Sequence, residues 1–134
     1  IGQLVTAGTI QIVQLHGCED DAMIEAVQQT LKVRVIKAFS IASEADVRQA
    51  RCSWADYILL DHGAGGTGDC FDWALLAHID RPYFLAGGLN PDNAAQAAAL
   101  QPFALDVSSG VETDGVKDKE KMKRFMAQIR AYRR

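Results

Sequence analysis

The stretch Tyr83-Phe84-Leu85-Ala86-Gly87-Gly88-Leu89-Asn90-Pro91 contains a whole strand-to-helix joint. An unbroken apolar run reads as a strand covered on both faces, the pattern of a parallel sheet. The glycine pair makes a tight turn. Asn90 predicts a helix N-cap, and Pro91 falls at the first helical position, where its missing N–H costs nothing. The same joint recurs along the chain. Further apolar runs at residues 10–15, 33–39, 57–60 and 103–107 predict four more strands, and their starts recur about every 20 to 27 residues. Helical stretches lie between and after them, at 20–31, from Ser43, at 69–79, at 90–100 and at 118–132. The first carries Ala22, Met23, Ala26, Val27 and Leu31 at helical spacing. The second opens on Ser43-Glu44-Ala45-Asp46, a capping box. The last has acids early and Arg130, Arg133 and Arg134 late, matching the helix dipole.

Alternating strand-helix units of this length mean an α/β fold with a parallel sheet. Two closures are open: a doubly wound sheet, or part of an eight-stranded (βα)8 TIM barrel. The 134 residues form a single domain without linkers or low-complexity segments. Apolar residues make up 49% and charged residues 23%, an ordinary globular balance. A net charge of −3 gives nucleic acid no basic face to meet. The basic residues between Lys117 and Arg134 are interleaved with acids and read as a solvated helix face. No apolar run reaches the roughly 18 residues that span a membrane. Cys18, Cys52 and Cys70 form no C-x-x-C pair and no disulfide framework, so reduced thiols in a cytoplasmic protein are expected.

In either closure, functional groups collect at the C-terminal ends of the strands. Reading those ends in order gives His16-Gly17, then Lys37 and Ser40, then Asp61 with the loop Gly63-Ala64-Gly65-Gly66-Thr67-Gly68. Gly87-Gly88 follows, and then Asp106, Ser108, Ser109 and Gly110. Small residues at Gly87-Gly88 and Ser109-Gly110 let backbone N–H groups approach an anion. Barrels frequently hold phosphate after their last two strands, so these two turns predict a phosphate cradle. The 65–68 loop lacks the Lys of a P-loop and reads as a mobile active-site loop rather than a nucleotide site. Asp61 ends an apolar strand, where a partly desolvated carboxyl suits a general acid, or else a structural Asp bonded to loop N–H groups. His16 is a base, a substrate donor or a core histidine. Lys37 is a Schiff-base lysine or an ion-pair partner. No two His or Cys residues have metal-ligand spacing, so no metal is indicated.

Taken together, these motifs resemble one family. They are Gln14-Leu15-His16-Gly17, Leu60-Asp61 with Gly65-Gly66-Thr67-Gly68 and Phe71-Asp72-Trp73, Leu85-Ala86-Gly87-Gly88-Leu89, and Asp106-Val107-Ser108-Ser109-Gly110-Val111-Glu112 with Gly115 and Lys117-Asp118. Their order and spacing resemble phosphoribosylanthranilate isomerase, a (βα)8-barrel enzyme of tryptophan biosynthesis. The resemblance implies an Amadori rearrangement of a phosphorylated small molecule, N-(5-phosphoribosyl)anthranilate, with no cofactor and no metal. It implies that Asp61 is the general acid, that Gly87, Gly88, Ser109 and Gly110 hold the phosphate, and that His16 and Asp106 line the site. The family's general base is a Cys in a Lys-x-Cys-Gly motif on its first strand, and an Arg after the second strand contacts the anthranilate carboxylate. Neither is found in this sequence. Residues 1–10 resemble the helix after the third strand. The resemblance therefore implies strands four to eight of the barrel, with the first three units outside this chain. Such a piece is expected to be inactive alone and to pair with its missing N-terminal half or with itself. The alternative is a non-catalytic phosphate-binding half-barrel.

Overall fold

The computed structural model describes residues 1–62 and 70–132. The helix α1 (Gly2–Thr6) comes first, followed by β1 (Ile12–Leu15), α2 (Asp21–Leu31), β2 (Arg34–Ser40), α3 (Glu44–Cys52) and β3 (Tyr57–Asp61). After the undescribed segment come a 3-10 helix (Trp73–His78), β4 (Tyr83–Leu85), α4 (Ala94–Ala99) and β5 (Ala104–Leu105). A 3-10 turn (Ser109–Val111), the short strands β6 (Glu112–Thr113) and β7 (Val116–Lys117), and α5 (Lys119–Tyr132) complete the chain.

Strands β1 to β5 form one parallel sheet in sequential order. A doubly wound sheet reverses its strand order at a switch point. No reversal occurs here, so the sheet is of the barrel kind. Successive right-handed crossovers of the same sense bring the helices to one face. That face is the core. Ile58, Leu60 and Leu85 are fully buried there with Val47 and Ala50 of α3, Ala94 and Ala97 of α4, and Phe125 of α5. Truncating one such Leu to Ala typically costs about 2–5 kcal/mol. A second cluster joins Val13, Leu15 and Val35 to Ile24 of α2.

Strand residues alternate between faces. Tyr57, Leu59 and Asp61 therefore point away from the helices, and by register Phe84 lies beside Leu59. The rings of Tyr57, Phe84 and Phe103 stack across this second face, with centroids 5.3–5.8 Å apart.

Three elements differ from the sequence expectation. The helix expected at 90–100 is regular only over α4, and residues 91–93 before it form a turn in which the Asn90 side chain accepts the N–H groups of Asp92 (2.8 Å) and Asn93 (3.3 Å). Asn90 thus makes the side-chain bonds expected of an N-cap, returned by Asn93 Oδ1 to Asn90 N–H at 2.9 Å, but the regular helix behind the Gly87-Gly88 turn is only six residues long. The helix expected at 69–79 is a 3-10 helix at Trp73–His78, with the Asp72 carboxylate accepting Ala74 N–H at 2.9 Å. The strand expected at 103–107 pairs over two residues only, at the edge of the sheet beside β4. The β6-β7 hairpin was not foreseen. It turns on Asp114-Gly115, whose φ values of +53° and +76° are what a two-residue type I′ turn requires. Gly63, Gly65-Gly66-Thr67-Gly68 and Asp69, and at the end Arg133 and Arg134, lie outside the described residues.

Candidate active site

The ends of β3, β4 and β5 converge on a cleft of about 310 Å³. Asp61, Gly87, Gly88, Asp106, Ser109 and Gly110 all line it, with Ala86, Leu89 and Ser108. Ladder bonds fix these ends against one another. Ala86 N–H donates to Leu60 O at 2.8 Å, and Asp106 N–H to Leu85 O at 2.9 Å. Asp61 is held on the β2 side, since it sits opposite Ser40 in register and its carbonyl accepts Ile41 N–H at 2.9 Å.

Asp61 Oδ1 accepts the N–H of His62 at 2.6 Å. Among the described residues Oδ2 has no partner. The carboxyl is thus anchored through one oxygen and open to the cleft through the other. This satisfies the structural reading of Asp61 and leaves it placed for acid chemistry. Two glycines make the arrangement possible. Gly87 has φ +81°, and a Cβ there would lie 2.4 Å from Asp61 Oδ1 and 2.5 Å from His62 N. At Gly110 a Cβ would lie 1.7 Å from Leu89 O. The turns after β4 and β5 therefore touch backbone to backbone, and only glycine fits at the contact.

The cleft is lined by turn peptide groups together with the side chains of Asp61, Asp106, Ser108 and Ser109. Among the described residues its charged lining residues are two acids, Asp61 and Asp106, with no Lys or Arg. Such a site takes an anion by amide donors. A cation bonded to a lining residue is Lys117, whose Nζ reaches Ser108 O (3.0 Å), Ser108 Oγ (3.3 Å) and Glu112 Oε1 (2.7 Å).

His16 is not brought into this cleft. It stands exposed at the end of β1, two strands from β3. Lys37 is an ion-pair partner. It shares the helix-covered face with Val35, is 4% exposed, and its Nζ donates to Gly17 O at 2.8 Å and meets Glu19 Oε2 at 3.2 Å. Cys18, Cys52 and Cys70 are absent from the lining. Sequence reading passed over Asn93, which ties the turn after β4 together: Oδ1 accepts Asn90 N–H at 2.9 Å, and Nδ2 donates to Gly88 O at 3.0 Å. The available signal was the Asn90-Pro91-Asp92-Asn93 cluster, since Asx side chains habitually bond nearby backbone.

Comparison with known proteins agrees with this geometry. The sequence model of the family described as N-(5'-phosphoribosyl)anthranilate (PRA) isomerase matches residues 1–128. An N-(5'-phosphoribosyl)anthranilate isomerase of Endomicrobium trichonymphae is 44% identical over 119 residues, covering 85% of this chain and 58% of that protein. The chain thus spans little more than half of that relative's length. The crystal structure of phosphoribosyl anthranilate isomerase from Thermotoga maritima superposes with a TM-score of 0.81 at 36% identity, over 96% of this chain and 66% of that one. Another solved isomerase, 34% identical with a TM-score of 0.77 over 96% of this chain and 64% of that one, is in complex with reduced 1-(o-carboxyphenylamino)-1-deoxyribulose 5-phosphate. By its matched residues and its fold, the chain belongs to the N-(5'-phosphoribosyl)anthranilate isomerase family.

Proposed function

We propose that this chain carries the acid and the phosphate site of a phosphoribosylanthranilate isomerase. The observation that carries the reading is the single cleft that joins Asp61 to both glycine turns. The substrate's 5-phosphate would accept hydrogen bonds from the turn amides at Gly88, Leu89, Ser109 and Gly110. Asp61 would protonate the furanose ring oxygen as the bond from C1 to that oxygen breaks and the anthranilate nitrogen lone pair forms the C1 imine. Removal of the C2 proton by a base then gives an enolamine. Proton return to C1 and ketonisation at C2 yield 1-(2-carboxyphenylamino)-1-deoxyribulose 5-phosphate. Every atom of the substrate is in the product, so no cofactor or co-reactant is required.

The base is the part we assign elsewhere. None of the three cysteines lines the cleft, and the acids that do are Asp61 and Asp106. We read the five units as strands four to eight of an eight-stranded barrel. The sequential strand order, and the lack of a β1–β5 pairing among the described residues, support this. In that reading His16 and Asp106 contact substrate once the barrel is whole, and the chain alone binds phosphate without turning substrate over. The experiment is complementation. The chain is assayed for isomerisation alone, and then with the portion of the Endomicrobium relative that it does not match. Turnover in the mixture, and its loss by a factor of about 10²–10⁴ with Asp61→Asn, is the expected result. A normal rate from the chain alone would refute the assignment of the base. Phosphate binding that no added segment converts to turnover would leave the alternative of a non-catalytic half-barrel.

A further inference from the structure

We infer that Asn93 is the positioning residue of the phosphate cradle, acting by holding two peptide carbonyls away from the cleft. The inference rests on the phosphate reading of that cleft. A trans peptide points its C=O and the following N–H in opposite directions. Fixing a carbonyl therefore aims the next amide. In the turn after β4, Gly88 O is gripped by two side-chain amides, Asn93 Nδ2 at 3.0 Å and Asn90 Nδ2 at 3.2 Å. The Leu89 N–H must then point the other way. One peptide earlier, Gly87 O lies 3.6 Å from Cys70 Sγ, and that sulfur lies 3.3 Å from the same Asn93 Nδ2. This fixes the Gly88 N–H likewise.

Gly88 and Leu89 both line the cleft, and among the described residues neither amide has an acceptor. Gly87 and Gly88 have φ of +81° and +64°, a backbone shape that needs an outside hold to persist. Asn93 supplies the hold from one side chain. It accepts Asn90 N–H through Oδ1 (2.9 Å) while donating to both Gly88 O and Cys70 Sγ through Nδ2. No aliphatic residue could do this, and an aspartate could do only the first half. The second turn is built on the same plan. Lys117 Nζ holds Ser108 O at 3.0 Å, and Ser109 lines the cleft with its amide unpartnered among the described residues.

The test titrates inorganic phosphate into the ¹⁵N-labelled chain and follows its amide resonances, with thermal unfolding measured in parallel. In the wild type the amides of Gly88, Leu89, Ser109 and Gly110 are expected to shift with phosphate. Asn93→Asp keeps the acceptor but loses the donors, and Asn93→Ser is its uncharged counterpart. Both should weaken phosphate by about tenfold, the worth of one well-placed hydrogen bond, with the Gly88 and Leu89 resonances moved even without ligand. A folded variant of either kind that binds like the wild type overturns the inference. So does weakening by Asn93→Asp alone, which would reduce the effect to charge. If the wild type shows no phosphate shifts at these four amides, the phosphate reading itself falls and takes the inference with it.

Discussion

Gly110 and Gly87 each sit where a Cβ would strike neighbouring backbone, but only Gly87 also abuts the Asp61 carboxylate, so their substitutions should behave differently. Gly110→Ala drives a Cβ into the carbonyl of Leu89, a backbone atom that cannot move aside cheaply. It should separate the two turns, cost about 1–3 kcal/mol as an overpacking strain, and abolish phosphate shifts at both turns together. Calorimetry and the phosphate titration check this; an alanine variant with unchanged melting and binding would show that the turns are not in contact. Gly87→Ala meets the Asp61 carboxylate and the backbone nitrogen of His62 at a φ of +81°, so beside its backbone strain it should act on Asp61 and on catalysis in the complemented enzyme. At this scale most of the candidate cleft was legible as positions. Asp61, Asp106, Gly87, Gly88, Ser109 and Gly110 were read from their places at strand ends, and one cleft gathers all six. His16 was read by the same rule and is not gathered, because the rule gives a height on the barrel but not an angle around it. Asn93 was not legible as a site residue, because its role lies in contacts to Cys70 and Gly88 that only the folded chain creates.

Element by element, caps and turns explain what the apolar pattern could not place. The capping box of α3 was legible and is complete: Ser43 Oγ accepts Asp46 N–H at 3.4 Å, and the Asp46 carboxylate accepts Ser43 N–H at 2.8 Å. Ser43→Ala should cost about 1 kcal/mol, read as a melting point lower by about 3–5 °C. Asp46 adds a pH dependence. The hydrogen bond from the Ser43 hydroxyl, then that from Ala42 N–H, hold its carboxyl below the usual range. A folded value below the unfolded one means stability that is fully present above the ordinary Asp range and lost as pH falls through the lower, folded value. Asp46→Asn should therefore narrow its deficit against the wild type as melting is followed from neutral pH to below about pH 4; a constant deficit would contradict the cap's charge. The shortened α4 and the β6-β7 hairpin were missed at the same scale. Both are set by Asx and Asp-Gly turn chemistry, which a pattern of apolar residues does not report.

The whole molecule has a parallel sheet with one bare face and two open edges among the described residues. Parallel sheets are normally covered on both faces, yet Phe103 is 58% exposed and Ile12 42% exposed on the face away from the helices. Beyond β5 an apolar groove of about 930 Å³ opens between α4 and α5, lined by Leu105, Val107, Met122, Phe125, Met126 and Ile129 among others. Natural sheet edges are blunted by charges, Pro or bulges. Residues 1–18, which include the β1 edge, contain no Asp, Glu, Lys, Arg or Pro. Edges of this kind are built to be paired. The sequence made the parallel α/β sheet legible but left its closure open between doubly wound and barrel, which the sequential strand order decides, and an apolar pattern does not report what covers a sheet face. We therefore expect the isolated chain to self-associate. Sedimentation velocity should show weight-average mass rising with concentration above the 14.6 kDa of one chain. Phe103→Lys, at an exposed ring that leaves the helix-side core untouched, should shift that association to higher concentration. The unmatched portion of the Endomicrobium relative should compete it away in favour of a one-to-one complex. A chain that stays at 14.6 kDa at every concentration and ignores the added segment would mean that the bare face is stable in water. The reading of this chain as strands four to eight of a larger barrel would then have lost its main physical support.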